Sequence, residues 1–345
     1  MKLATYKDGS RDGQLIVVSR DLSVAHYATG IAHTLQQVLD DWNFLSPQLQ
    51  DLYAALNRAG DGSSYVGLAR HAFPFDPKQC MAPLPRAYQW AGGGAYINHE
   101  ELLHKARGSA VPASFYTDPL LMQGASDDFI GACDDVVCAS EAYGIDFCAE
   151  LAVVTGDVRM GATPAQALDG IRLVMLANEV SLRQLMAAEL ARGYGFFQGK
   201  PATAFSPVTV TLDELGDAWD KGRLNLTLQS TWNGRKVGLC EAGLDMTFHF
   251  GQLIAAMCKT RNVRAGTVVG SGPVSNSGVK VKTRTEWPKG YNCIAEKRAM
   301  ETLQDGQPST DFMKFGDTIR IETKGRDGKS LFGAIEQEIV PVEAN

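Results

Sequence analysis

Apolar and polar positions change rhythm along this chain, and the change divides it. Near the start, Leu3–Tyr6 and Gln14–Ser19 read as strands, with Asp8-Gly9 and Asp12-Gly13 supplying the turns between them. A helical period follows over Ile31–Leu39 and again over Leu49–Leu56. From Phe73 to Pro85 prolines recur, so the backbone is extended there and no helix continues. A boundary is expected near residue 80, with a small α+β domain over 1–80 and the main body over 81–345.

Beyond the boundary, short β-like runs dominate: Glu150–Val154, Leu173–Val180, Pro207–Thr211, Leu224–Trp232, Gly266–Gly270 and Asp317–Glu322. Few helices separate them. Thr163-Pro164-Ala165-Gln166 is a helix start, with Thr as N-cap, Pro in the first turn and Gln closing a capping box. Met246–Lys259 has an amphipathic helical period. Strands that outnumber helices without regular alternation predict a β-rich α+β body, not a doubly wound sheet. Gly92-Gly93-Gly94 lacks the spacing and the Lys of a phosphate cradle.

Composition narrows the partners. At 345 residues and 45% hydrophobic content, the chain can bury one large or two modest cores. The net charge of −6 is mild, and cations and anions are interspersed, so no basic stripe marks a nucleic-acid surface. No apolar stretch approaches the ~18 residues that a membrane helix needs. The opening Met1–Gly9 reaches a charged turn too soon for a secretory signal. Cysteines at 80, 133, 138, 148, 240, 258 and 293 are odd in number and do not form a disulfide frame. Cys133 and Cys138 have no second pair or His beside them to make a zinc site. The expectation is a reduced, cytoplasmic protein without nucleic-acid or membrane partners.

Three distant segments carry groups suited to one site. In Tyr96-Ile97-Asn98-His99-Glu100-Glu101, His99 titrates near neutrality and suits a general base, with Tyr96 and the acids to orient it; the bland alternative is a surface or capping His. In Tyr143–Gly156, residues Asp146, Cys148 and Glu150 share one face of a strand. Carboxylates gathered there suit a hard divalent cation, or else they are an ordinary solvated strand face. In the third segment Glu179 ends an apolar run and so requires a partner. Arg183 is either that kind of ion-pair partner or a fork for a substrate carboxylate. Lys200, between Gly199 and Pro201, is either a fixed cation for an enolate or one more surface Lys.

Taken in order, Tyr96-x-x-His99, Asp146-x-Cys148-x-Glu150, Asn178-Glu179-x-Ser181-x-Arg183, Gly199-Lys200 with Ser206-Pro207, and Gly270-Ser271-Gly272-x-Val274-Ser275 resemble the fumarylacetoacetate hydrolase family over about residues 86–335. The N-terminal unit is similar to a short extra domain found in one bacterial branch of it. The resemblance implies a β-rich mixed roll or sandwich, usually a homodimer, with a divalent cation held by two Glu and an Asp. Those positions fall on Cys148, Glu150 and Glu179, so a thiol replaces one carboxylate and Glu replaces Asp. Mg²⁺ or Mn²⁺ is then the expected ion, with Zn²⁺ brought in by the sulfur. His99 falls on the family's catalytic His, with Glu101 as the acid beside it, and Lys200 on the Lys that polarises the substrate carbonyl. Tyr96 and Arg183 are expected to hold the substrate. Pro273 stands where a Thr is usual. The implied activity is metal-assisted hydrolysis of a carbon–carbon bond in a β-diketone or acylpyruvate-type keto acid. Keto-acid decarboxylation or isomerisation at the same site, and a degenerate binding protein, are the alternatives.

Overall fold

The computed structural model describes residues 1–58, 71–193 and 195–343. Among these, the backbone of the molecule is an 11-stranded sheet. Its order runs Phe73–Pro74, Val24–Tyr27, Gln14–Val18, Lys2–Tyr6, Thr209–Thr211, Ile171–Asn178, Ala149–Thr155, Val268–Gly270, Trp90–Gly93, Leu121–Gly124, with Ala204–Phe205 as a branch on Ile171–Asn178. The N-terminal hairpin therefore has no sheet of its own. Lys2 and Leu3 pair antiparallel with Val210 and Thr209, and the first unit extends the sheet of the main body. A second, five-stranded sheet contains Arg235–Glu241, Thr227–Trp232, Thr318–Thr323, Ile335–Pro341 and Val136–Cys138.

Because strand side chains alternate, the large sheet divides its apolar residues between two cores. Ile16, Leu151, Val153, Val174 and Leu176 belong to one. Leu15, Val17, Ala152, Val154, Leu173 and Met175 belong to the other. The seven residues of Ala149–Thr155 are all buried, as befits a strand covered on both faces. Each Val or Leu so enclosed contributes roughly 1.5–3 kcal/mol.

The α+β, β-rich architecture expected from the pattern is present, and so are most of its elements. Their limits follow local capping chemistry. The first helix spans Leu35–Asp40 because Thr34 and Gln37 close a capping box ahead of it. The predicted Met246–Lys259 helix begins only at Phe250, where Gln252 accepts a hydrogen bond from the His249 N–H. The box over Thr163 and Gln166 forms as expected. The run at Leu224–Trp232 breaks into Arg223–Leu224 and Thr227–Trp232. Among the described residues no helix is long and apolar enough to cross a membrane.

Candidate active site

Two helices bring a buried histidine and a buried carboxylate together. Ile97–Ala106 follows the Trp90–Gly93 strand and carries His99; Ile294–Asp305 carries Glu296. Leu102, Ala299 and Met300 form the apolar contact between them. His99 Nδ1 lies 2.9 Å from Glu296 Oε1, with His99 8% and Glu296 1% exposed. Burial pulls the imidazole pKa down, but the hydrogen bond and charge of Glu296 outweigh it and raise the pKa above its ordinary value. A carboxylate at Nδ1 assigns the proton to that nitrogen and leaves the Nε2 lone pair free in the neutral ring.

Asp146 fixes the start of the Glu296 helix. Its buried carboxylate accepts hydrogen bonds from Ile294 N at 2.5 Å and Ala295 N at 3.0 Å, and Arg183 Nε donates to it at 2.8 Å. Two otherwise orphaned amides of the first turn are thus satisfied by an anion at the positive end of the helix.

Glu150 and Glu179 stand at neighbouring strand ends, since Glu150 is in register with Ala177 and Glu179 follows Asn178. Glycines across the sheet make room for them. A Cβ at Gly92 would sit 3.0 Å from Glu179 Oε1, and one at Gly270 would sit 2.8 Å from Glu150 Oε2. Gly272 is constrained further: its φ is +74° and a Cβ would lie 2.4 Å from Gly93 O, while its N–H donates to Glu150 Oε2 at 3.0 Å. Glu150 Oε1 is buried without a hydrogen-bond partner. Burial, then the charges of Glu179 and Cys148, drive the Glu150 pKa well up, toward the neutral acid. Lys200 Nζ lies 2.5 Å from Glu179 Oε2 and donates to Ser181 Oγ at 2.9 Å. Burial alone would lower its pKa; the Glu179 carboxylate more than offsets this and raises it.

The thiols join the two halves of the site. Cys148 and Cys293 are partners in an isolated antiparallel bridge, both buried and both reduced. A hydrogen bond from Cys293 lowers the Cys148 pKa, and Arg183 and Lys200 add to that against the effect of burial. Burial and the same contact raise Cys293. Arg183 Nη2 lies 3.9 Å from Cys148 Sγ.

Measured against the sequence-derived site, His99, Lys200, Cys148, Glu150, Glu179 and Arg183 all lie in this buried region, but several have other partners. Glu101 is exposed and accepts from Tyr116 Oη at 2.8 Å. It points off the outer side of its helix, and the acid on His99 is Glu296. Tyr96 is 2% exposed and donates to Ala242 O at 2.7 Å, so its hydroxyl is committed to the backbone, not to His99. Arg183 pairs through Nε with Asp146, whose burial requires a partner. Asp146, Cys148 and Glu150 do not form one solvated strand face: the strand starts at Ala149, Asp146 belongs to the separate Ile145–Asp146 strand, and all three are at most 1% exposed. Glu296 left a trace in the sequence that the reading passed over. It shares a helical stripe with Ala299 and Met300, and an acid on an apolar stripe needs a partner.

The divalent cation that the resemblance implies can be tested against these donors. Cys148 offers soft sulfur, Glu179 is held by the Lys200 ammonium, and Glu150 keeps one buried oxygen without a partner. Among the described residues, Cys148, Glu150 and Glu179 do not gather into a three-ligand set; the one such set is His99, Cys293 and Glu296. The orphaned oxygen and the room left by Gly92 and Gly270 leave space for a cation, while the thiol at one of the three positions disfavours a hard ion such as Mg²⁺.

Arg183 also reaches an open cleft of about 460 Å³, where Arg107 and Arg298 join it beside Leu103, Met186 and Phe312. The Arg298 guanidinium lies 4.7 Å over the Phe312 ring. The guanidiniums of Arg183 and Arg298 already pair with Asp146 and Thr310 O, and neither His99, Glu296 nor Lys200 lines this cleft.

Comparison with known proteins matches residues 89–340 to a model described as fumarylacetoacetate (FAA) hydrolase C-terminal. Residues 1–86 match fumarylacetoacetase N-terminal domain 2. No curated protein matches the chain. Among solved structures, a fumarylacetoacetate hydrolase from psychrophilic Exiguobacterium antarcticum is 18% identical, with a TM-score of 0.61 and 99% of each chain covered. A 5-carboxymethyl-2-hydroxymuconate delta-isomerase from Mycobacterium smegmatis is 15% identical, with a TM-score of 0.59 and 100% of each chain covered. A 2-hydroxyhepta-2,4-diene-1,7-dioate isomerase from Mycobacterium marinum shows the same 15%, 0.59 and 100% of each chain. At these identities the likeness to solved structures is one of fold.

Proposed function

The chain belongs to the fumarylacetoacetate hydrolase family, and from that premise we propose that it is an enzyme hydrolysing a carbon–carbon bond in a β-diketone or acylpyruvate-type keto acid. The observation that carries this reading is the buried His99–Glu296 pair, 2.9 Å apart, in one buried region with the Lys200 ammonium. His99 Nε2 takes a proton from water as its oxygen adds to a carbonyl carbon. Glu296 holds the ring and stabilises the imidazolium that results. The bond from that carbon to the central carbon then breaks, and its electron pair passes into the enolate of the departing keto acid. Lys200 stabilises the enolate oxygen, and the proton on His99 returns to carbon. Because a thiol occupies one of the expected cation positions, no step is assigned to a hard ion.

The test follows loss of diketone absorbance from a simple acylpyruvate, with and without chelator, and identifies products by NMR. The expected result is a carboxylic acid plus pyruvate, with a loss of about 10²–10⁴-fold in His99→Ala. Isomerised or decarboxylated product, formed without a second acid, would replace hydrolysis with proton transfer at the same pair. Full activity in His99→Ala would remove the dyad from the mechanism altogether.

A further inference from the structure

The thiol of Cys293 has no part in the hydrolysis just described, yet it sits among the groups that do. One nitrogen of His99, Cys293 Sγ and one carboxylate oxygen of Glu296 all lie within 4.8 Å of one another, and all three residues are buried. A tetrahedral Zn²⁺ with bonds of about 2.0–2.3 Å holds its ligands roughly 3–4 Å apart, so small side-chain shifts close the set. We propose that His99, Cys293 and Glu296 form a binding site for a borderline-soft divalent metal of the Zn²⁺ class, separate from the Glu150–Glu179 positions.

Two further features point the same way. Cys148, the bridge partner of Cys293, lies outside the three-ligand set but next to it in the fold, so a second sulfur stands near the site. A His, a carboxylate and a thiolate form a donor set that zinc takes, with a fourth position left for water, and that Mg²⁺ does not favour. At the other positions Lys200 stands 2.5 Å from Glu179 and supplies positive charge there, so the two sites differ in both donor chemistry and charge. Metal at the new site would consume both members of the proposed acid–base pair. Zinc is therefore an inhibitor of this enzyme. That consequence rests on the hydrolase reading; the binding site does not.

The experiment titrates the reduced full-length protein with Co²⁺ and reads the near-ultraviolet thiolate-to-metal absorption, then displaces Co²⁺ with Zn²⁺. One equivalent of Co²⁺ should develop the band, and a large excess of Mg²⁺ should leave it unchanged. Cys293→Ser should lower affinity at least tenfold and weaken the band. Glu296→Gln and His99→Gln, which test the same ligands if the serine variant fails to fold, should lower affinity similarly. Glu179→Gln should have no effect. Absence of a thiolate band, its survival in Cys293→Ser with unchanged affinity, or stoichiometric competition by Mg²⁺ would each overturn the site. Because the readout is optical, a protein that binds Co²⁺ but turns over no acylpyruvate disproves the hydrolase and leaves the metal site standing. Turnover without a thiolate band does the reverse.

Discussion

Asp146 makes no contact with the acid–base pair, and its removal should nonetheless disable it. Its carboxylate is fully buried and joins three donors, the amides of Ile294 and Ala295 and the Nε of Arg183. In Asp146→Asn the shape is kept and the charge is lost. Breaking a buried ion pair costs about 3–5 kcal/mol, and the 17% exposure of Arg183 places this pair at the lower end. Loss of the anion at the positive end of the Glu296 helix adds about 0.3–1 kcal/mol. The expected destabilisation is therefore about 4 kcal/mol in urea unfolding. Hydrogen exchange should locate it, with the Ile294 and Ala295 amides exchanging fastest relative to the parent. Because Glu296 is carried on that first turn, a shift near 1 Å should also lower kcat about 10–100-fold. Arg183→Met provides the decisive comparison. If Asp146 and Arg183 are partners, the double variant should be more stable than the sum of the single changes allows, by about 1–3 kcal/mol. Strict additivity, or unchanged exchange at Ile294 and Ala295, would refute the reasoning.

Other perturbations separate the remaining parts of the site. Glu296 raises the pKa of His99, whose neutral form is the base, so the acid limb of kcat/KM against pH should move to lower pH in Glu296→Gln while the plateau falls; an unmoved limb would show that another group titrates. Lys200→Met should destabilise by about 3–5 kcal/mol, since it strands a buried Glu179, and adding Glu179→Gln should recover most of that loss; thermal unfolding of the three variants checks the pair. Burial raises the Glu150 pKa, so the folded protein binds that proton more tightly than the unfolded chain does. This contribution to stability is full below the unfolded value of ~4.3 and is lost as pH rises through the folded pKa. Urea midpoints of Glu150→Gln should therefore fall less than those of the parent between pH 4 and pH 7; parallel profiles would contradict the raised pKa.

What the sequence revealed of this molecule depended on how far apart the interacting residues are. Strands such as Ala149–Thr155 and the Thr163 capping box were legible because alternation and capping act over a few residues. The joining of the N-terminal hairpin to the main sheet was not, because it rests on pairing of Lys2 with Val210, far along the chain. The site behaves the same way. His99 and Lys200 could be picked out as candidates from their own neighbourhoods. Glu296, 197 residues from His99, and the capping of its helix by Asp146 from 148 residues away are decided by tertiary packing. The misjudged Glu101 illustrates the cause. In a helix, residues two positions apart face different directions, so an acid at that offset from His99 turns away from it toward solvent and Tyr116. The acid that serves a buried base must itself be buried, and burial on a helix shows as membership of the apolar stripe. By that criterion Glu296, one turn before Ala299 and Met300, is the carboxylate that meets His99, while Glu101 is exposed and Glu100 half-buried.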